Sequence, residues 1–171
     1  MMLAAGLILA GALGLQPVHA LVASDYRSAR PVLVHRVAPG DTIALGFLHS
    51  VEQCWVLDRL RVDGDFSMVV VETEFASSRT GLPYAAFGQE RYQREGDRFR
   101  IRNMHRRVPE IFQWVAGPYR NTLQINDNPQ IRLSTLAGDT LLHIRIRKMS
   151  ALSWSWLKAR SYWHHRSNDH G

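Results

Sequence analysis

The sequence predicts an all-β fold, a single antiparallel sandwich or partly closed barrel, with a short helical C-terminal tail. Three observations carry this. Short segments that alternate apolar and polar side chains recur from Pro31 to Arg147, and a period of two means one buried face and one wet face. Turn-forming clusters of Pro, Gly, Asp and Asn separate them every 8–12 residues or so, with no helical stretch between, which favours antiparallel sheets. From Met149 onward the period changes to that of a helix.

Val32 to Val37 is the first predicted strand, and Pro39-Gly40-Asp41 ends it in a turn. Ile43 to Leu48 follows, with Ile43, Leu45 and Phe47 on one face. Trp55 to Val62 closes at Asp63-Gly64-Asp65, a hairpin signal. Phe66 to Phe75 has a β-branched centre and is the strongest strand in the chain. Phe99 to Arg102 and Leu142 to Arg147 alternate, while Leu123 to Ile125 and Ile131 to Leu133 flank the turn Asn126-Asp127-Asn128-Pro129. Pro109 to Val115 carries both a helix-start signal and a strand-like alternation of Phe112 and Trp114, and is read as strand. In the tail, at 100° per residue, Met149, Leu152, Trp156, Ala159 and Trp163 share one side, away from Trp154, Ser155 and Lys158. With Lys158, Arg160 and Arg166 this suits a helix lying at a membrane surface; the alternative is a helix that packs its Trp rings onto the sandwich.

The chain has 171 residues, of which 46% are hydrophobic, enough for one domain with a core of its own. Its single cysteine, Cys54, excludes an internal disulfide framework and is read as a small buried apolar residue. The net charge of +6 is uneven: the segments Arg91–Arg107 and Arg145–Gly171 are each strongly basic. All basic residues except Lys148 and Lys158 are Arg, a preference that suits carboxylate or phosphate recognition and equally follows from codon bias.

Leu3 to Leu15 is a continuous apolar run, broken by Gln16, Pro17 and His19 before it reaches spanning length. Val18-His19-Ala20 has the shape of a signal-peptidase site. The expected organisation is a signal peptide at 1–20, a β domain at 21–148 and a basic aromatic tail at 149–171. The chain is then extracytoplasmic, periplasmic after cleavage; the alternative is an N-terminally membrane-anchored chain. Export makes nucleic acid an unsuitable partner.

The candidate site is a polar cluster. His49-Ser50-Val51-Glu52 ends a predicted strand, Asp58 follows in the next, and Glu72 and Glu74 share a face of the strongest strand. Arg79 precedes Thr80-Gly81-Leu82-Pro83, where Gly81 permits a positive φ. These residues suit a ligand pocket at one end of the sandwich, or a hydrogen-bond network pinning a strand corner. Ser50 as a nucleophile lacks a base, because the adjacent His49 points to the opposite face of a strand.

At these positions the chain resembles the small extracytoplasmic domain-of-unknown-function family associated with TAXI-type TRAP transporters. The resemblance rests on His49-Ser50-Val51-Glu52, Asp58, Glu72 to Phe75 and Gly81-Leu82-Pro83, and extends loosely over Pro31 to Arg147. Arg79 and Thr80 stand where that family has Gly and Ala, and Asp58 where a Glu is typical. The resemblance implies an exported, non-catalytic accessory or binding module linked to solute uptake. It implies TRAP transporter subunits as partners; the polar cluster itself suits a small anionic ligand, and the tail, which has no counterpart in that family, suits contact with a membrane surface. The ligand-binding candidates are His49, Ser50, Glu52, Asp58, Glu74, Arg79 and Gly81; no catalytic residue, metal or cofactor is expected. Two other classes stay open: a hydrolase or metal-dependent enzyme using His49, Glu52 and Asp58, and an envelope-attached structural protein.

Overall fold

The computed structural model describes residues 16–51, 53–76 and 86–168, with side chains followed to Ser161. Eleven strands are described: β1 (Pro17–Asp25), β2 (Pro31–Arg36), β3 (Thr42–Leu48), β4 (Trp55–Val62), β5 (Met68–Phe75), β6 (Arg91–Glu95), β7 (Arg98–Val108), β8 (Ile111–Val115), β9 (Thr122–Ile125), β10 (Ile131–Arg132) and β11 (Thr140–Ser150). A 3-10 turn covers Gly117–Tyr119, and two helices are α1 (Leu133–Ala137) and α2 (Ala151–Asn168). The strands form two antiparallel sheets, one of four strands in the order β2-β1-β11-β8 and one of seven in the order β10-β9-β3-β4-β5-β7-β6. This is a two-layer sandwich, and neither sheet closes into a barrel. Leu21, Leu142 and Ile144 of the smaller sheet meet Ile43, Leu45, Leu60 and Leu123 of the larger, all buried. In β3, Ile43 and Leu45 are the inward, apolar half of the alternation, as expected for sheets packed face to face, whereas β1 is apolar on both faces, Leu21 and Ala23 inward and Ala20 and Val22 outward.

The expected strands at Val32, Ile43, Trp55, Phe99, Pro109, Leu123 and Leu142 are all present. Three places differ. Pro17–Asp25, expected to straddle the end of a leader, is a strand paired on both sides, with β2 and with β11. Its Val18 and Ala20 to Ala23 are buried, so a sequence read as a processing site also reads as a central strand. Phe66, expected to open β5, lies outside it with φ +63°, a left-handed backbone that an aromatic residue adopts at a cost. Its ring stacks on His19 of the opposite sheet, centroids 3.5 Å apart, which explains why it leaves the strand. Leu133, expected in a strand, begins α1, with its buried side chain in the interlayer core.

The tail is helical from Ala151, but its packed side is not the predicted stripe. Trp154 and Leu157 pack on the outer face of the smaller sheet, against Ala20, Val22 and Val34, and Ser161 is buried. Of the predicted stripe, Met149 at the end of β11 joins that cluster, Leu152, Trp156 and Ala159 face outward, and the side chain of Trp163 lies outside those described. The sheet accepts an i, i+3, i+7 row, and that row is set by where β11 delivers the chain.

Candidate functional site

Where β3 ends, the backbone closes a tight turn. The His49 N–H donates to the Cys54 carbonyl at 2.8 Å, and the Gln53 N–H donates to the His49 carbonyl at 2.9 Å. Gln53, with φ +50°, also donates from its side-chain amide to the Ser50 carbonyl. This turn holds His49 and Ser50 at one end of the gap between the sheets. Across the gap lies β8, the edge strand of the smaller sheet, with Gln113 and Trp114. Phe47, Leu48, His49 and Ser50 form one wall of a cleft of about 290 Å³; Gln113, Trp114, Tyr119 and Asn121 form the other.

Asn121 is the unusual member. It is 1% exposed. Its Oδ1 accepts from the Ala116 N–H at 3.3 Å, and its carbonyl accepts from the Leu133 N–H at 2.9 Å. Its Nδ2 has no hydrogen-bond partner among the described residues. A buried amide N–H left without an acceptor costs about 1–3 kcal/mol, which makes such a group an exception in a folded protein. The local sequence explains its position. Gly117-Pro118 starts the 3-10 turn, and Arg120, with φ +50°, ends it. The chain therefore re-enters the sheet at Thr122 with Asn121 folded inward. No Asp or Glu lines the cleft among the described residues, whereas Ser50, Gln113, Tyr119 and Asn121 all offer donors.

The structure brings together only part of the predicted cluster. His49 and Ser50 share the cleft. Asp58 is not among its lining residues: it accepts a hydrogen bond from the Thr73 hydroxyl on the neighbouring strand, and burial pushes its carboxyl above the usual range, with the Thr73 bond pulling the other way. Glu74 lies in a different place, in an ion-pair lattice spanning β4, β5 and β7. It meets Arg100 at 2.9 Å and Arg98 at 3.0 Å, and Glu72 meets Arg59 at 3.0 Å and Arg102 at 3.1 Å. A second groove of about 430 Å³ runs beside this lattice, lined by Trp55, Arg59, Glu74, Arg98 and Arg100 among others. Burial acts to raise the Glu74 carboxyl, but Arg100 and Arg98 outweigh it and hold it below the usual range. Glu52, Arg79 and Gly81, with Thr80, Leu82 and Pro83, lie outside the described residues. Cys54 is buried and free. No three His, Cys, Asp or Glu side chains among the described residues are grouped to hold a metal ion.

The sequence alone does not single out Gln113, Trp114, Tyr119 and Asn121. Gly117-Pro118 marks a turn, and an Asn just before a strand was the available signal; what it could not reveal is that β8 sits opposite β3 across the gap.

No curated protein and no solved structure matches the chain. A family model, a domain of unknown function named DUF1850, matches residues 43–133. That span runs from β3 to the start of α1, takes in both walls of the cleft and covers more than half of the chain, which therefore belongs to the DUF1850 family.

Proposed function

We propose that the chain is an extracytoplasmic, non-catalytic binding module serving a TAXI-type TRAP solute uptake system, and that its ligand is a small carboxylate held in the cleft between the sheets. The observation that carries this is the buried Nδ2 of Asn121 at a cleft furnished with donors and bare of carboxylates among its described residues. Turning of the Asn121 amide, whose Nδ2 is covered in this structure, would let a carboxylate oxygen supply the missing acceptor, and Ser50, Tyr119 and Gln113 have hydroxyl or amide donors for the other. Phe47, Leu48 and Trp114 give an apolar wall for a carbon skeleton, the usual composition of a small-molecule site. The link to solute uptake rests on the resemblance carried by His49-Ser50-Val51-Glu52 and Asp58. Asp58, which accepts from the Thr73 hydroxyl, does not share the cleft with His49.

The test is a thermal-shift screen of the purified full chain against mono- and dicarboxylates of graded length, followed by calorimetry. Ligand at about a hundred times its Kd stabilises by ~2.7 kcal/mol, which raises Tm by several degrees. Asn121→Ala, and independently Tyr119→Phe or Ser50→Ala should one variant fail to fold, is expected to weaken binding roughly tenfold, the loss of one charge-assisted hydrogen bond. If no carboxylate shifts Tm, the reading is wrong.

A further inference from the structure

We infer that the corner of the domain where Gln16, the end of β11 and α2 meet is a docking face for an anionic lipid bilayer, and that the Leu3–Leu15 run stays attached to the folded chain there. The first support is β1. A cut after Ala20 would remove Pro17–Ala20, which pair with Ser150–Arg147, and would place the charged α-amine of Leu21 in the middle of a central strand. Ala20 and Leu21 are both 0% exposed. The same cut would remove His19, whose ring stacks on Phe66 and whose carbonyl accepts from the Val37 N–H at 2.9 Å. An intact sheet therefore requires an intact chain from Gln16 onward, and the apolar run ends one residue before it.

The second support is independent and lies in α2. The Ala151 N–H donates to the Gln16 carbonyl at 3.0 Å, so the residue that follows the apolar run in the sequence sits at the first residue of the helix. With Trp154 and Leu157 committed to the sheet, α2 turns Leu152, 64% exposed, and Trp156, 58% exposed, away from the protein. Arg147 joins Leu152, Ser153, Trp156 and Leu157 around a shallow groove. Lys158 lies over the Trp154 ring and Arg160 over the Trp156 ring, at 5.0 and 4.8 Å from the centroids. Arg145 and Lys148 are exposed on β11, and the sequence holds no acidic residue between Asp139 and Asp169. Exposed apolar side chains ringed by cations, beside the exit of an apolar run, match a bilayer with anionic headgroups, where polybasic segments and interfacial aromatics both gain.

The experiment has two readouts on the full chain. Intact mass of protein recovered from the membrane fraction of an expressing bacterium should include the Leu3–Leu15 run; a mass that lacks it overturns the proposal. The full chain, reconstituted into vesicles of phosphatidylglycerol and phosphatidylcholine carrying brominated acyl chains, should show tryptophan quenching that Trp156→Phe reduces. That difference should vanish in vesicles of phosphatidylcholine alone, with circular dichroism unchanged. Equal quenching in wild type and Trp156→Phe, or a Trp156 shielded instead by a vesicle-independent dimer in light scattering, overturns the assignment of this face to lipid.

Discussion

Two aspartates show how the same side chain takes opposite roles by position. Asp25 accepts from the Ser28 hydroxyl at 2.6 Å, from the Thr140 hydroxyl and from the Ser28 N–H at 2.7 Å; these bonds lower its carboxyl from 3.8 to about 2. The folded form thus releases its proton more readily than the unfolded chain. Its contribution is full above about pH 4 and is lost as pH falls from 3.8 towards 2. Urea unfolding of Asp25→Asn and wild type should differ at pH 6 and converge near pH 2. Asp58 has the reverse sign. Burial raises its carboxyl, so the folded state binds a proton more tightly than the unfolded chain, and stability declines as pH rises through the interval between the two values. Asp58→Asn keeps an acceptor for the Thr73 hydroxyl without a charge to desolvate. It should stabilise the protein by about 1 kcal/mol at pH 7 and remove that decline. The sequence places Asp58 on its strand, but its burial and its Thr73 partner, fifteen residues on, depend on the register of β4 against β5, which alternation alone leaves open.

At the scale of elements, α2 gives the sharpest contrast. Its two neighbouring tryptophans face opposite environments, Trp154 the sheet and Trp156 the exterior. Trp154→Ala should cost about 2 kcal/mol, below the usual cost for a fully buried ring because it is only partly covered. Trp156→Ala should change stability by less than about 0.5 kcal/mol. Thermal melts of the two variants decide this directly. Period was legible in the tail, and phase was not: a helical wheel shows an apolar stripe without saying that a second row, Trp154, Leu157 and Ser161, is the one the sheet accepts. For β1 the obstacle was competition between two readings, since a run of small and β-branched residues after an apolar segment serves both a processing site and a buried strand. The arginine-rich β6 and β7 were legible as charge but not as a lattice. Glu74 should behave accordingly, with a double-mutant coupling of about 0.5 kcal/mol to exposed Arg98 and about 1 kcal/mol or more to the more buried Arg100, read by denaturant unfolding.

For the whole molecule, β11 has one property that neither sheet order nor core composition expresses: it spans the smaller sheet from end to end. Leu141 faces Trp114 at the cleft, and Ser150 faces Pro17 at the corner where α2 begins. At ~3.4 Å per residue in an antiparallel strand, those two points stand roughly 30 Å apart. Only Gln16 separates the apolar run from β1 in the sequence. With that corner on a bilayer, β11 becomes a stand of fixed height. A domain held that way would diffuse in a plane while its cleft stayed in one layer of the surrounding fluid. Confinement of this kind raises the effective concentration only for neighbours whose own openings lie at that altitude. Taller or flatter membrane proteins pass beneath or beyond its reach, so the length of one strand acts as a filter on which of them it can meet.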